Sequence, residues 1–110
     1  MSKSLNEQLR TAAASGDTAA VLRLISKGAK VNARGFFGRT PLISAAVCNR
    51  PETVKALLER GADASLTDDM GMTAVQAASR NGHVGVAKIL RGHSLRKIKL
   101  TGSRGKNGKP

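Results

Sequence analysis

Few side chains in this chain of 110 residues have the type and spacing that chemistry requires. Cys48 is the single thiol, and His83 is a base that could activate it. A reactive thiolate needs a nearby cation or a helix N-terminus, whereas the local pattern makes Cys48 a small side chain at the end of a helix. The two histidines, His83 and His93, lie ten residues apart, and no Cys/His cluster has zinc spacing. Asp68-Asp69 is an acidic pair in a loop, a feature that is usually solvated. Gly102 to Lys109 has the composition of a phosphate-binding loop, but its glycines are wrongly spaced and no Ser/Thr or helix follows. The sequence therefore predicts no catalytic residue, no metal ligand and no cofactor, and argues against an enzyme.

What remains is surface and charge. The net charge is +12, from 19 Lys+Arg against 7 Asp+Glu. Seven of the bases, Arg91, Arg96, Lys97, Lys99, Arg104, Lys106 and Lys109, fall in 91–110 with no acid. The rest of the chain is only mildly basic. Arg96, Lys97, Lys99, Arg104, Lys106 and Lys109 are the candidate polyanion-binding residues. They form a basic extension over 94–110, expected to be flexible from about 101, where glycines recur without apolar side chains. Such an end attracts RNA, DNA or anionic lipid in a salt-dependent way. It carries no aromatic residue for base stacking, and the plainer reading is a solubilising end. A lone cysteine and the lack of an apolar leader point to the cytoplasm; no run of about 18 apolar residues predicts a membrane span.

With 40% hydrophobic residues the chain can bury a core, and without Trp or Tyr that core must be aliphatic. A period of 33 residues organises it: Gly28 and Gly61, Gly38 and Gly71, Thr40 and Thr73, Ala12, Ala45 and Ala78 all keep one register. Each unit reads as helix, turn, helix, loop. Thr40-Pro41 and Thr73 suit helix starts. The first helix is short and small-faced (Leu9, Ala12, Ala13; Leu42, Ala45, Ala46). A turn at Gly16, Asn49 or Gly82 leads to a second helix with an apolar stripe: Val21, Leu24, Ile25; Val54, Leu57, Leu58; Val86, Ile89, Leu90. Pro51 fits a first helical turn, and Gly28 and Gly61 are expected to end their helices in the left-handed conformation.

The segments Gly38-Arg39-Thr40-Pro41-Leu42-Ile43-Ser44-Ala45-Ala46, Val54-Lys55-Ala56-Leu57-Leu58-Glu59-Arg60-Gly61-Ala62-Asp63 and Asn81-Gly82-His83-Val84 resemble the ankyrin repeat. The resemblance covers about residues 5–93. It implies an all-α solenoid of paired antiparallel helices with β-hairpin-like loops, in units of about 5–33, 34–66 and 67–93 within a domain of 1–93. Three departures stand out. Ile43 and Gln76 replace the usual histidine after Thr-Pro-Leu, Asn49-Arg50 replaces Gly-His, and Gly35 stands where the next loop has Asp68. Repeat arrays need polar outer faces at their ends. Glu7, Gln8 and Arg10 suit one end, and Leu95, Ile98 and Leu100 are expected to cover the other.

The resemblance also implies a non-enzymatic module that binds a protein partner through its loop tips and inner helices. The partner-binding candidates are Arg34, Phe36, Phe37 and Arg39 on the first finger, with Val47 and Cys48 at the end of its helix. The second finger offers Thr67, Asp69, Met70 and Met72, with Arg80 and Asn81. Both phenylalanines of the chain sit together at one loop tip, where aromatic residues make good anchors; the alternative is that one of them folds back onto the neighbouring repeat. The first finger is basic (Lys30, Arg34, Arg39) and the second acidic (Asp63, Asp68, Asp69). That bipolar face fits a specific protein better than a uniform polyanion. The expected state is a monomer with a protein partner. The alternative is a nucleic-acid-associated protein that uses its basic end.

Overall fold

The computed structural model describes residues 3–103, with side chains described to His93. Arg104, Lys106 and Lys109 lie outside the described residues. The side chains of Arg96, Lys97, Lys99, Leu95, Ile98 and Leu100 lie outside the described ones.

Among the described residues there are six α-helices and no strand. They are α1 (Leu5–Ser15), α2 (Thr18–Ser26), α3 (Pro41–Val47), α4 (Pro51–Glu59), α5 (Ala74–Arg80) and α6 (Val84–Ser103). Their starts follow from the residues before them. Ser4 and Glu7 form a reciprocal capping box on α1, Asp17 caps α2, and Thr40 accepts from Ile43 N ahead of Pro41. At α5 the partner of Thr73 is Gln76, whose side chain accepts from Thr73 N at 2.9 Å. Gln76 thus takes up a capping role in place of the missing histidine. Ile43, at the equivalent position of α3, is instead buried.

Helices α1, α3 and α5 pack side by side as an inner layer, and α2, α4 and α6 form an outer layer against them. The inner helices meet through small side chains (Ala12 and Ala13, Ala45 and Ala46, Ala77 and Ala78), all buried, so their axes approach closely. Val21 and Leu24, Val54 and Leu57, Val86 and Leu90 fill the space between the layers. Gly28 and Gly61 follow their helices at φ 108° and 91°, as the sequence predicts. The tight turns within each pair use φ 77° at Gly16 and 76° at Gly82, a region open to glycine at little cost; Asn49 fills it at φ 59° in the middle unit.

Neighbouring units are joined by a repeated polar strut. Arg50 Nε donates to Ala14 O at 2.9 Å, and His83 Nε2 lies 3.0 Å from Val47 O. The two donors are one period apart, as are the two carbonyls, each at the far end of the preceding inner helix. Arg50 therefore does the histidine's work with a longer side chain. Thr18 and Thr53 share a hydroxyl hydrogen bond of 2.8 Å between the outer helices. Arg50→Ala is expected to lower stability by about 1 kcal/mol, the usual net worth of one hydrogen bond. Arg50→His should recover most of that loss, which a thermal melt of the three proteins would measure.

Candidate partner-binding groove

The two loops that project from the inner helices have the same skeleton and different bracing. In the first, Gly35 N donates to Arg39 O at 2.9 Å and Gly38 N to Gly35 O at 3.0 Å. In the second, Asp68 N donates to Met72 O and Gly71 N to Asp68 O, both at 3.0 Å. Asp68 Oδ1 also accepts from Met70 N and Met72 N, which stiffens that tip from within. Gly35 has no carboxylate to do this. The first tip is a single 3-10 turn, Phe36–Gly38, without a side-chain cap, and Phe37 sits at φ 59°. A left-handed conformation at an aromatic residue is costly. It is held here by the neighbouring finger, because Phe37 O accepts from Asp69 N at 3.0 Å. Arg34 Nε reaches Thr67 O at 3.4 Å and strengthens the same seam. Gly38, at φ 69°, is required at this junction: a Cβ there would overlap the Asp69 side chain and lie 2.9 Å from Asp69 N.

Neither phenylalanine folds back. Phe36 is 89% exposed and Phe37 69%, and Met70 on the second finger is 75% exposed. Large apolar groups are thus presented to solvent at the tips of both fingers. The Arg39 guanidinium lies over the Phe37 ring at 5.2 Å, within cation–π range. Its Nε is buried and has no hydrogen-bond partner among the described residues. A buried unmet donor costs about 1–3 kcal/mol.

Below the first finger lies a groove of about 700 Å³, walled by Lys3, Glu7, Arg10, Thr11, Ala14, Gly35, Phe36, Phe37, Arg39 and Ser44. The α1 members recur at helical spacing and form one stripe of that helix. Ser44 occupies in α3 the place of Thr11 in α1, one period on. Arg10 crosses under the finger, with Nη1 3.5 Å from Ala33 O. Gly35 makes room for it, since a Cβ there would overlap Arg10 Nε. A side chain at that position would make the arginine shift from this place.

The candidate residues fall into three groups. Arg39, Phe36 and Phe37 come together on the groove wall. Arg34, Thr67, Asp69, Met70 and Met72 lie on the fingers beside it, Met72 half-buried with its sulfur 3.7 Å from Arg80 Nη1. Val47, Cys48, Arg80 and Asn81 lie at the other end of the inner helices. There the Val47 carbonyl is occupied by His83, and Asn81 Nδ2 donates to Ala77 O at 2.7 Å. Cys48 is exposed, and no hydrogen bond joins it to His83. Lys3, Glu7, Arg10, Thr11, Ala14 and Ser44 were not read from the sequence as site residues; the signal for Glu7, Arg10, Thr11 and Ala14 is the α1 stripe, and for Ser44 its place one period after Thr11. Among the described residues no three His, Cys, Asp or Glu side chains are grouped to hold a metal ion, and no helix is long and apolar enough to cross a membrane.

A family model described as ankyrin repeats in three copies matches residues 9–101. Inversin of Mus musculus and of Homo sapiens are each 38% identical over 88 residues, covering 79% of this chain and 8% of theirs. The ankyrin repeat, SAM and basic leucine zipper domain-containing protein 1 of Oryctolagus cuniculus is 38% identical over 77 residues, covering 70% of this chain and 16% of its own. The chain thus spans a small fraction of the length of these relatives. With paired helices, capped loops and a 33-residue register all in phase with that match, the chain belongs to the ankyrin-repeat family.

Proposed function

We propose that the chain is a non-enzymatic binding module that engages a protein partner through its two finger tips and the groove beneath the first. The carrying observation is the exposure of Phe36, Phe37 and Met70 at adjacent tips that are hydrogen-bonded to each other. A rigid pair of tips presents apolar anchors at low entropic cost, which favours affinity. Family membership supports the protein-binding reading, since ankyrin repeats generally serve as interaction modules. The mechanism on this reading is occupation or recruitment. A second reading, attachment to nucleic acid, draws on the seven bases without an acid in 91–110.

Affinity purification of partners from native cells with and without nuclease separates the two. The protein-binding reading expects partners that survive nuclease and are lost with Phe36→Ala/Phe37→Ala. That double variant should weaken a purified partner by about 2 kcal/mol or more, near thirtyfold in Kd. Unchanged affinity removes the anchor role. Partners lost to nuclease, or on deletion of 94–110, support the second reading.

A further inference from the structure

We infer that the groove between α1 and the first finger takes an acidic peptide segment, with a carboxylate on Arg10 and Arg39 and a neighbouring apolar side chain on Phe36 and Phe37. This deepens the reading above and rests on it. Three cations, Lys3, Arg10 and Arg39, line the groove against a single acid, Glu7. Glu7 is already engaged, because its Oε1 accepts from Ser4 N at 3.1 Å in the α1 cap. Among the described residues no carboxylate pairs with Arg10 or Arg39. Arg10 makes one long contact to a carbonyl, and no hydrogen bond satisfies the Arg39 guanidinium. Planar guanidinium groups with unused donors match a carboxylate, and the Phe37 face holds one of them in place. The glycine at position 35 is consistent with this, since it leaves room for Arg10 beneath the finger.

The polarity of the face argues for a peptide over a nucleic acid. Asp69 joins Phe37 through its backbone, and its carboxylate lies against Gly38, so negative charge begins where the groove's positive charge stops. A phosphate backbone that tracked across both fingers would meet Asp68 and Asp69 and be repelled. A peptide with one or two acids beside an apolar residue needs only the basic half.

The test is selection of random displayed dodecapeptides on the full-length chain, followed by titration of a fluorescent peptide made from the selected pool. The selected peptides should be rich in Asp and Glu next to apolar residues. Arg10→Gln/Arg39→Gln should raise the Kd of that peptide about tenfold or more, the scale of losing charge-assisted hydrogen bonds. Lys55→Gln/Lys88→Gln removes the same charge at exposed sites on the outer helices and should leave Kd unchanged. Arg39→Lys keeps the charge without the planar fork, should weaken binding by less, and serves if Arg39→Gln does not fold by circular dichroism. Peptides without acid enrichment, equal losses in the two double variants, or no peptide selected at all would overturn the inference. So would a labelled oligouridylate that binds at physiological salt through Arg10 and Arg39. Acid-free peptides that still depend on Phe36 and Phe37 would sink the carboxylate site and leave the finger-tip reading standing.

Discussion

Leu57→Ala is expected to lower stability by about 2–5 kcal/mol, the range for emptying a buried leucine site. Leu57 is fully buried on α4. That helix packs on α3 of its own unit and on α2 and α6 of the units either side. The cavity is therefore felt by three neighbours, of which α2 is also tied to α4 by the Thr18–Thr53 bond. In a repeat array, stability is the sum of weak units and the interfaces between them, so a defect in the middle unit removes support from both sides. For a domain of this size each kcal/mol shifts the melting temperature by about 4–8 °C. A fall of roughly 10 °C or more is expected in a calorimetric scan. Leu24→Ala makes a comparable hole on α2, which has an outer-layer neighbour on one side only, α4, and should cost less. Equal losses from the two variants would contradict an array that shares its stability through the middle unit.

Ala45→Leu is the opposite experiment, in which volume is added where none is free. Ala45 is fully buried on α3, between α1 on one side and α5 on the other. Its equivalents in those helices are Ala12 and Ala78, also buried. A leucine here must push at least one inner helix away, and overpacking of this kind costs about 1–3 kcal/mol or more. The seam between the fingers depends on the α3–α5 spacing through Phe37 O and Asp69 N. The variant should therefore lose partner affinity along with melting temperature. Ala19→Leu, the same substitution at an exposed position of α2, should leave both nearly unchanged. A stable Ala45→Leu protein with full affinity would mean that close approach of the inner helices is not what sets the fingers.

The repeat skeleton was legible because every unit states it again. The 33-residue register, the Thr caps, the prolines in first turns and the alanine faces are local rules, and their agreement across units leaves one fold. Phe36 and Phe37 were legible as candidates because the chain's two aromatic residues fall together at a loop tip that the resemblance implies, although the sequence left open that one might fold back. What stayed hidden depends on contacts between units. Arg50 read as a departure, because the carbonyl it reaches lies in another helix and carries no sequence signature. Gly35 read as a missing aspartate; its reason is Arg10, distant in sequence. Gln76 also read as a departure, although Thr followed three residues later by Gln is a capping pattern that lies within one unit. The groove was missed because periodicity identifies which residues are buried. It does not show which polar residues of α1 the next unit's loop will overhang.

The strut between units has a further consequence. Arg50 and His83 each recognise a main-chain carbonyl, and the two acceptors belong to an alanine and a valine. The joint is therefore blind to the side chain upstream and tolerant of which donor crosses it. Units built this way are interchangeable parts. An extra copy of the middle unit, residues 34–66, inserted whole after Leu66, would arrive with both halves of the connector already in register. Length in such a chain is free to change by gene duplication in single steps of one period, without new chemistry at the joints.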